Sequence, residues 1–224
     1  MAVLKDVEKE KLRQLFQGLM EPVTLLLFTQ ETECQFCETT RTMLEEVTAL
    51  SDKLSLTIRD FVADTNEAER YGVDKIPATV ILGAKDYGIR FFGIPSGYEF
   101  TVLIQDILGI SKGVPGLSEE TLTMISAIGT PAHLQVFISP ACPYCPSAAR
   151  MVHQFAMASD HVRGDVVESS EYPHLTVKYN VSGVPHTVIN EDHSIVGVLP
   201  EKDFAREILK VLGVKWEGAD VSVK

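Results

Sequence analysis

Several things are scarce in this sequence, and each scarcity removes a class of function. No apolar run approaches the roughly 20 residues needed to cross a bilayer; Val23 to Phe28, an early apolar stretch, already contains Thr24. Met1 to Met20 mixes charged and apolar residues and has no secretory apolar core, so a soluble cytoplasmic chain is expected. Positive charge is also short: 20 Lys and Arg stand against 31 Asp and Glu, a net charge of -11. Nucleic acid and anionic membrane surfaces, which are bound through clustered cations, are therefore not expected partners. Cysteine is scarce in a telling way. There are four, paired as Cys34 with Cys37 and Cys142 with Cys145, with none left over. In a reducing compartment such pairs point to redox chemistry or metal binding rather than to structural cross-links.

Apolar residues are plentiful, at 45% against 23% charged, so the chain can bury a core. At 224 residues it suits two domains of about 100 residues each. An internal repeat supports that division. Cys34 and Cys142, Cys37 and Cys145, Tyr71 and Tyr179, Pro77 and Pro185, and Thr79 and Thr187 are each separated by 108 residues. Beyond them the offset becomes 104, matching Gly93 with Gly197, Phe100 with Phe204, Leu108 with Leu212 and Gly109 with Gly213. A hairpin four residues shorter in the second half accounts for the change. The glycine-rich stretch Gly109 to Gly116 divides the repeats, giving domains 1–112 and 113–224 with the break near Gly113.

The two halves read alike. Lys5 to Met20 and Ser118 to Ile128 suit opening helices, and Val23 to Phe28 and Leu134 to Ile138 suit buried strands leading into the cysteine pairs. Helical spacing follows at Met43, Leu44, Val47 and Leu50, and at Ala148, Met151, Val152 and Phe155. A second strand is expected near Leu56 to Val62 and near Val166 to Val167, and a third at Ala78 to Leu82 and His186 to Ile189. A last strand near Ile89 to Phe92 or Ile195 to Val198 precedes a closing helix. The order α-β-α-β-α-β-β-α, taken twice, places the chain in the α/β class.

At a helix N-terminus, free backbone amides and the helix dipole favour negative sulfur. Cys34 and Cys142 are thus the expected nucleophiles. Cys37 and Cys145, one turn later, are the expected resolving residues that attack the mixed disulfide. Pro143 suits a first helical position and would hold Cys142 rigidly; Pro146, further along, would kink that helix; Glu38 opposes thiolate formation in the first pair. Two other readings stand beside the redox one: a single zinc site formed by all four thiolates, and a permanent disulfide in each pair, whose short loop would stabilise little. The six histidines have no metal-like spacing, and of them only His186 stands beside a repeated proline.

Taken together, Cys34-Gln35-Phe36-Cys37, Cys142-Pro143-Tyr144-Cys145, Lys75-Ile76-Pro77-Ala78-Thr79 and Gly183-Val184-Pro185-His186-Thr187 give the chain a family likeness. It resembles, over essentially its whole length, the protein disulfide oxidoreductases of thermophilic archaea and bacteria, which fuse two thioredoxin folds and are related to glutaredoxins. The resemblance implies two tandem thioredoxin-like folds, each a central mixed β-sheet flanked by helices. It implies cis prolines at Pro77 and Pro185, with Ile76 and Val184 offering backbone hydrogen bonds to an extended substrate peptide. It also implies dithiol-disulfide exchange with protein thiols and disulfides, and an NADPH-dependent thioredoxin reductase as a possible electron source. The redox-active cysteine pairs themselves are the cofactor, with no metal expected. Thioredoxins carry a buried acid six residues before the first cysteine, where this chain has Phe28 and Val136. Glu31, Glu33 and Glu168 are candidate substitutes, each more simply read as a solvated surface acid. Two rival functions stay open: a peptide-binding chaperone module, and an electron-delivery domain for a peroxide-reducing flavoprotein. Retention of both cysteine pairs argues against the second.

Overall fold

The computed structural model describes residues 3–216, and the ends of the two expected domains, residues 1–2 and 217–224, lie outside that range. The first half runs α1 Asp6–Phe16, β1 Val23–Thr29, α2 Cys37–Thr48, β2 Leu54–Asp60, α3 Thr65–Arg70, β3 Ala78–Leu82, β4 Asp86–Phe92 and α4 Glu99–Lys112. The second repeats the order: α5 Glu119–Ser126, β5 Ala132–Ile138, α6 Cys145–Ala158, β6 Val162–Glu168, α7 Pro173–Lys178, β7 His186–Ile189, β8 His193–Val196 and α8 Glu201–Val211. Gly113, in the left-handed region at φ 68°, ends α4 where the repeats meet. Ser118 caps α5 by accepting the Thr121 amide, as its place before Glu-Glu suggests.

All eight strands form one sheet, in the order β2-β1-β3-β4-β6-β5-β7-β8. Within each half the pairing is the same: a parallel pair, β1 with β2 and β5 with β6, then two antiparallel steps to the hairpin. The halves join through parallel pairing of β4 with β6. The unequal hairpins now have a structural reason. β4 has seven residues and lies inside the sheet, buried toward its end, whereas β8 has four and forms an edge. The extra length lets β4 satisfy a neighbour that β8 lacks.

Alternation along the strands divides the core into two faces. Leu25 and Leu27 of β1, Leu134 and Val136 of β5, and Val162 and Val166 of β6 join one cluster with the apolar stripes of α1, α2, α4, α5, α6 and α8. Leu26, Phe28, Phe137 and Val167 join the opposite cluster, beneath α3 and α7. β6, legible only at Val166 and Val167, escaped a longer reading because Arg163, Gly164 and Asp165 interrupt its apolar run. Gly164 is there for space: a Cβ would stand 2.7 Å from the Val152 carbonyl of α6.

The proline expectations need correcting. α6 begins at Cys145, so Pro143 precedes the helix in the turn before Tyr144 and is not its first residue. Pro146 lies within the first turn, where no amide bond is lost, so it gives no kink.

Candidate active site

Each cysteine pair lies between a central strand and the helix that follows it. The fold runs β1, β2, β4, β5 and β6 in the same direction, so both pairs lie at one end of the sheet. Cys34 and Cys142 are partly exposed in the connecting turns, while Cys37 and Cys145 are buried as the first residues of α2 and α6. Both pairs are disulfide-bonded, with Cα atoms 5.5 Å apart in the first and 5.4 Å in the second. An accessible sulfur followed by a buried one is the arrangement in which an outside thiol or disulfide reaches the first and only the partner cysteine reaches it from within.

The two sites differ in detail. The Cys145 amide donates to Cys142 Sγ at 3.2 Å, directing a backbone dipole at the sulfur that would carry negative charge. Among the described residues no hydrogen bond reaches Cys34 Sγ. Glu33 beside it adopts φ 57°, and Glu38 stands exposed in the first turn of α2. In the second site Tyr144 is 71% exposed, so its ring is presented to solvent instead of filling the core.

Opposite each pair is a cis peptide bond, Ile76-Pro77 and Val184-Pro185. Cys142 Sγ lies 3.6 Å from the Val184 carbonyl, which brings that loop against the exposed sulfur. Ile76 and Val184 are half-buried, and their main chains make no backbone hydrogen bond among the described residues. Gly93 and Gly197 donate to the Pro77 and Pro185 carbonyls at 2.9 and 2.8 Å, fixing both loops to their hairpins in the same way. Tyr172 of the second half adds its hydroxyl at 3.3 Å to the Pro77 carbonyl; burial pushes that phenol far up, so it remains a donor.

β1 and β5 are four strand steps apart, roughly 19 Å at the usual strand spacing. Four thiolates so separated do not share one zinc ion, and among the described residues no group of three His, Cys, Asp or Glu side chains is placed to hold a metal. His186 serves the β7–β8 hairpin: it is buried, which lowers its pKa, and its Nε2 lies 2.9 Å from Ser194 Oγ. A crevice of about 760 Å³ around Pro131, Asp160 and Arg163 opens at the far end of the sheet from the cysteines.

Of the candidate acids, Glu31 and Glu33 are exposed, but Glu168 is buried, contrary to the surface reading. It comes together with Glu99 and Glu171, neither of which was singled out from the sequence. A signal was present: Glu99 and Asp203 are 104 residues apart, and Glu168 and Asp60 are 108 apart, so carboxylates recur at matched repeat positions.

Comparison with known proteins agrees with this architecture. A family profile described as a thioredoxin domain matches residues 132–210. The chain is similar in structure to a protein disulfide oxidoreductase from Aeropyrum pernix K1, with 26% identity and a TM-score of 0.87 over 97% of this chain and 99% of that one. It shares its fold with the NTD_N/C domain of alkylhydroperoxide reductase AhpF from Enterococcus faecalis, at 24% identity and a TM-score of 0.85 over 92% and 99% of the two chains. In sequence it is 23% identical to an NADH dehydrogenase of Bacillus subtilis (strain 168) over 81% of this chain and 33% of that protein. It is 22% identical to an alkyl hydroperoxide reductase component of Staphylococcus aureus (strain NCTC 8325 / PS 47), over 81% and 32%. The chain thus spans about a third of the length of these curated relatives. The expected tandem thioredoxin-like fold is the fold observed.

Proposed function

We propose that this chain, a tandem thioredoxin-fold protein with a CxxC disulfide in each half, is a protein thiol-disulfide oxidoreductase. The observation that carries the reading is the repeated geometry: an accessible cysteine, a buried cysteine opening the next helix, and a cis-proline loop beside them. Residues 1–112 and 113–224 act as the two catalytic units, within one continuous sheet.

In the reducing direction, Cys34 or Cys142 attacks a substrate disulfide as thiolate, forming a mixed disulfide and releasing one substrate thiol. Cys37 or Cys145 then attacks the enzyme sulfur of that mixed disulfide, closing the internal disulfide and releasing the second substrate thiol. Oxidation runs the same steps backwards, and isomerisation joins the two. The free main-chain groups of Ile76 and Val184 pair with an extended substrate segment as an added strand, which recognises polypeptide backbone rather than one sequence. Partners are proteins bearing thiols or disulfides, and an NADPH-dependent thioredoxin reductase supplies electrons. The setting is cytoplasmic; among the described residues no helix is long and apolar enough to cross a membrane.

Turnover of a disulfide-bonded protein with dithiothreitol tests the reading. A rate lost when all four cysteines become serine supports it, whereas a rate unchanged by those substitutions leaves a peptide-binding module. The likeness to the AhpF domain favours one second reading, an electron-delivery unit for a peroxide-reducing partner. That reading predicts fast reduction of a peroxide-oxidised partner and slow reduction of general protein disulfides.

A further inference from the structure

Each site is bounded by three segments: the cysteine turn, the cis-proline loop, and the chain leaving the hairpin, which Gly93 or Gly197 bonds to the proline carbonyl. The third segment is alike in backbone, with Gly93 at φ 93° and Gly197 at φ 84°, but not in surroundings. β8 is an edge strand, and among the described residues no atom lies within 4 Å of a Cβ placed on Gly197. Val198 after it is exposed, and its amide has no hydrogen-bond partner among the described residues. β4 lies inside the sheet, and its exit runs into the turn that follows β6. A Cβ on Gly93 would stand 2.7 Å from Glu171 Oε1 and 2.8 Å from Glu168 Cβ. Gly93 is accordingly buried and Ile94 half-buried.

The cover is made of particular bonds. Glu171 Oε1 accepts the Ile94 amide at 2.7 Å, and Ile94 is the repeat counterpart of Val198, 104 residues on. A side-chain oxygen thus does for Ile94 what the carbonyl of an added peptide would do. Tyr172 donates to the Pro77 carbonyl at 3.3 Å, whereas the Pro185 carbonyl accepts only the Gly197 amide among the described residues. The positions matching Glu171 and Tyr172 in the first half are Ala63 and Asp64. The contrast extends into the cis-proline loops. Lys75 lies with its Nζ 3.7 Å over the Phe92 ring, where the second loop has the exposed Gly183 with open space about it. Val196 and Val198 leave apolar side chains exposed along the open edge of the second half.

We infer that Glu171 and Tyr172 of the second half close the hairpin wall of the first site to polypeptide, so that the sites divide their substrates: Cys142 serves disulfides carried on proteins, and Cys34 serves small disulfides. The inference rests on the oxidoreductase reading and names the substrate class of each site. An extended polypeptide is held by main-chain partners along its length. At the second site it finds Val184 and then the free Val198 amide beside an open edge. At the first it finds Ile76 alone, because the next donor, Ile94, is already taken and the other half stands beyond it. A small disulfide needs only the exposed sulfur and its immediate loop, so the cover costs it nothing. Glu171 is in this sense a specificity residue for a site in the opposite half of the chain.

The test uses two full chains, one carrying Cys142→Ser and Cys145→Ser, which keeps the first site, and one carrying Cys34→Ser and Cys37→Ser, which keeps the second. Each is reduced and mixed with a chromogenic aromatic disulfide or with insulin. Dividing the insulin rate by the aromatic rate removes the difference in thiol reactivity between the sites. That ratio should be lower at the first site by on the order of 10-fold, the worth of one or two main-chain hydrogen bonds. In the first-site chain, Glu171→Ala should lower KM for insulin about 5-fold in turnover with dithiothreitol, keep kcat, and leave the aromatic rate unchanged. In the second-site chain the same substitution should change none of these. A cysteine-blocked, unfolded polypeptide added to the oxidised parent should shift the Val198 amide resonance and not that of Ile94, a readout that needs no variant to fold. Equal ratios at the two sites, an Ile94 shift as large as that of Val198, or an unchanged insulin KM in a folded Glu171→Ala chain overturns the proposal. If neither two-cysteine chain reacts with the aromatic disulfide, the oxidoreductase reading itself fails, and that failure is seen separately.

Discussion

Cys34 and Cys142 hold equivalent places in the repeat, each ahead of a buried cysteine that opens a helix. Their surroundings diverge. An amide points at Cys142 Sγ, the Val184 carbonyl stands 3.6 Å away, and a loop from the other half leans on Pro140. Cys34 sits between Glu33 and a helix whose first turn carries Glu38. Duplication supplied two copies of the same chemistry, and joining β4 to β6 gave the copies different neighbours.

That contrast can be broken experimentally. The largest effect should come from nucleophile removal: Cys142→Ser should cost more protein-disulfide turnover than Cys34→Ser, by on the order of 10-fold, the worth of one hydrogen bond to a charged sulfur. A larger loss from the Cys34 change would reverse the ranking of the sites. Next, pH-dependent alkylation of each reduced pair should show Cys142 ionising about one unit below Cys34, from the same bond. Equal midpoints would mean that the amide contact does not survive reduction. Smallest, Glu38→Gln should lower the Cys34 midpoint by about a few tenths of a unit, since an exposed charge in a helix first turn is worth little more. A shift at Cys142 of equal size would show that the effect is not local.

Much of this was legible in the sequence because the repeat made each half a check on the other. Pro77 and Pro185 would pass alone as ordinary strand-entry prolines; their common offset with the cysteines makes them candidate site residues. The cap of α5 followed from Ser118, and the Gly109–Gly116 stretch contains Gly113, where α4 ends. What stayed hidden depends on contact between halves. β6 is interrupted by Arg163 and Asp165, whose charges are tolerated because Arg163 pairs with Asp165, which also bonds to His133. Periodicity cannot foresee such pairing. Glu99 looks like an acid at a helix start, an ordinary solvated position, until the other half covers it. Pro143 misled because the helix begins two residues later, after the turn that lets Cys142 reach the Cys145 amide.

The four strand steps between β1 and β5 also set how the molecule trades electrons. Neither exposed sulfur can reach the other, so a fully reduced chain holds two independent two-electron charges instead of one shared store. Any difference in potential between them is evened out only by a third disulfide that visits both. The oxidation states of the two sites therefore drift toward a common equilibrium at a rate set by the concentration of that visitor, and in its absence each site keeps its own record of the last partner it met.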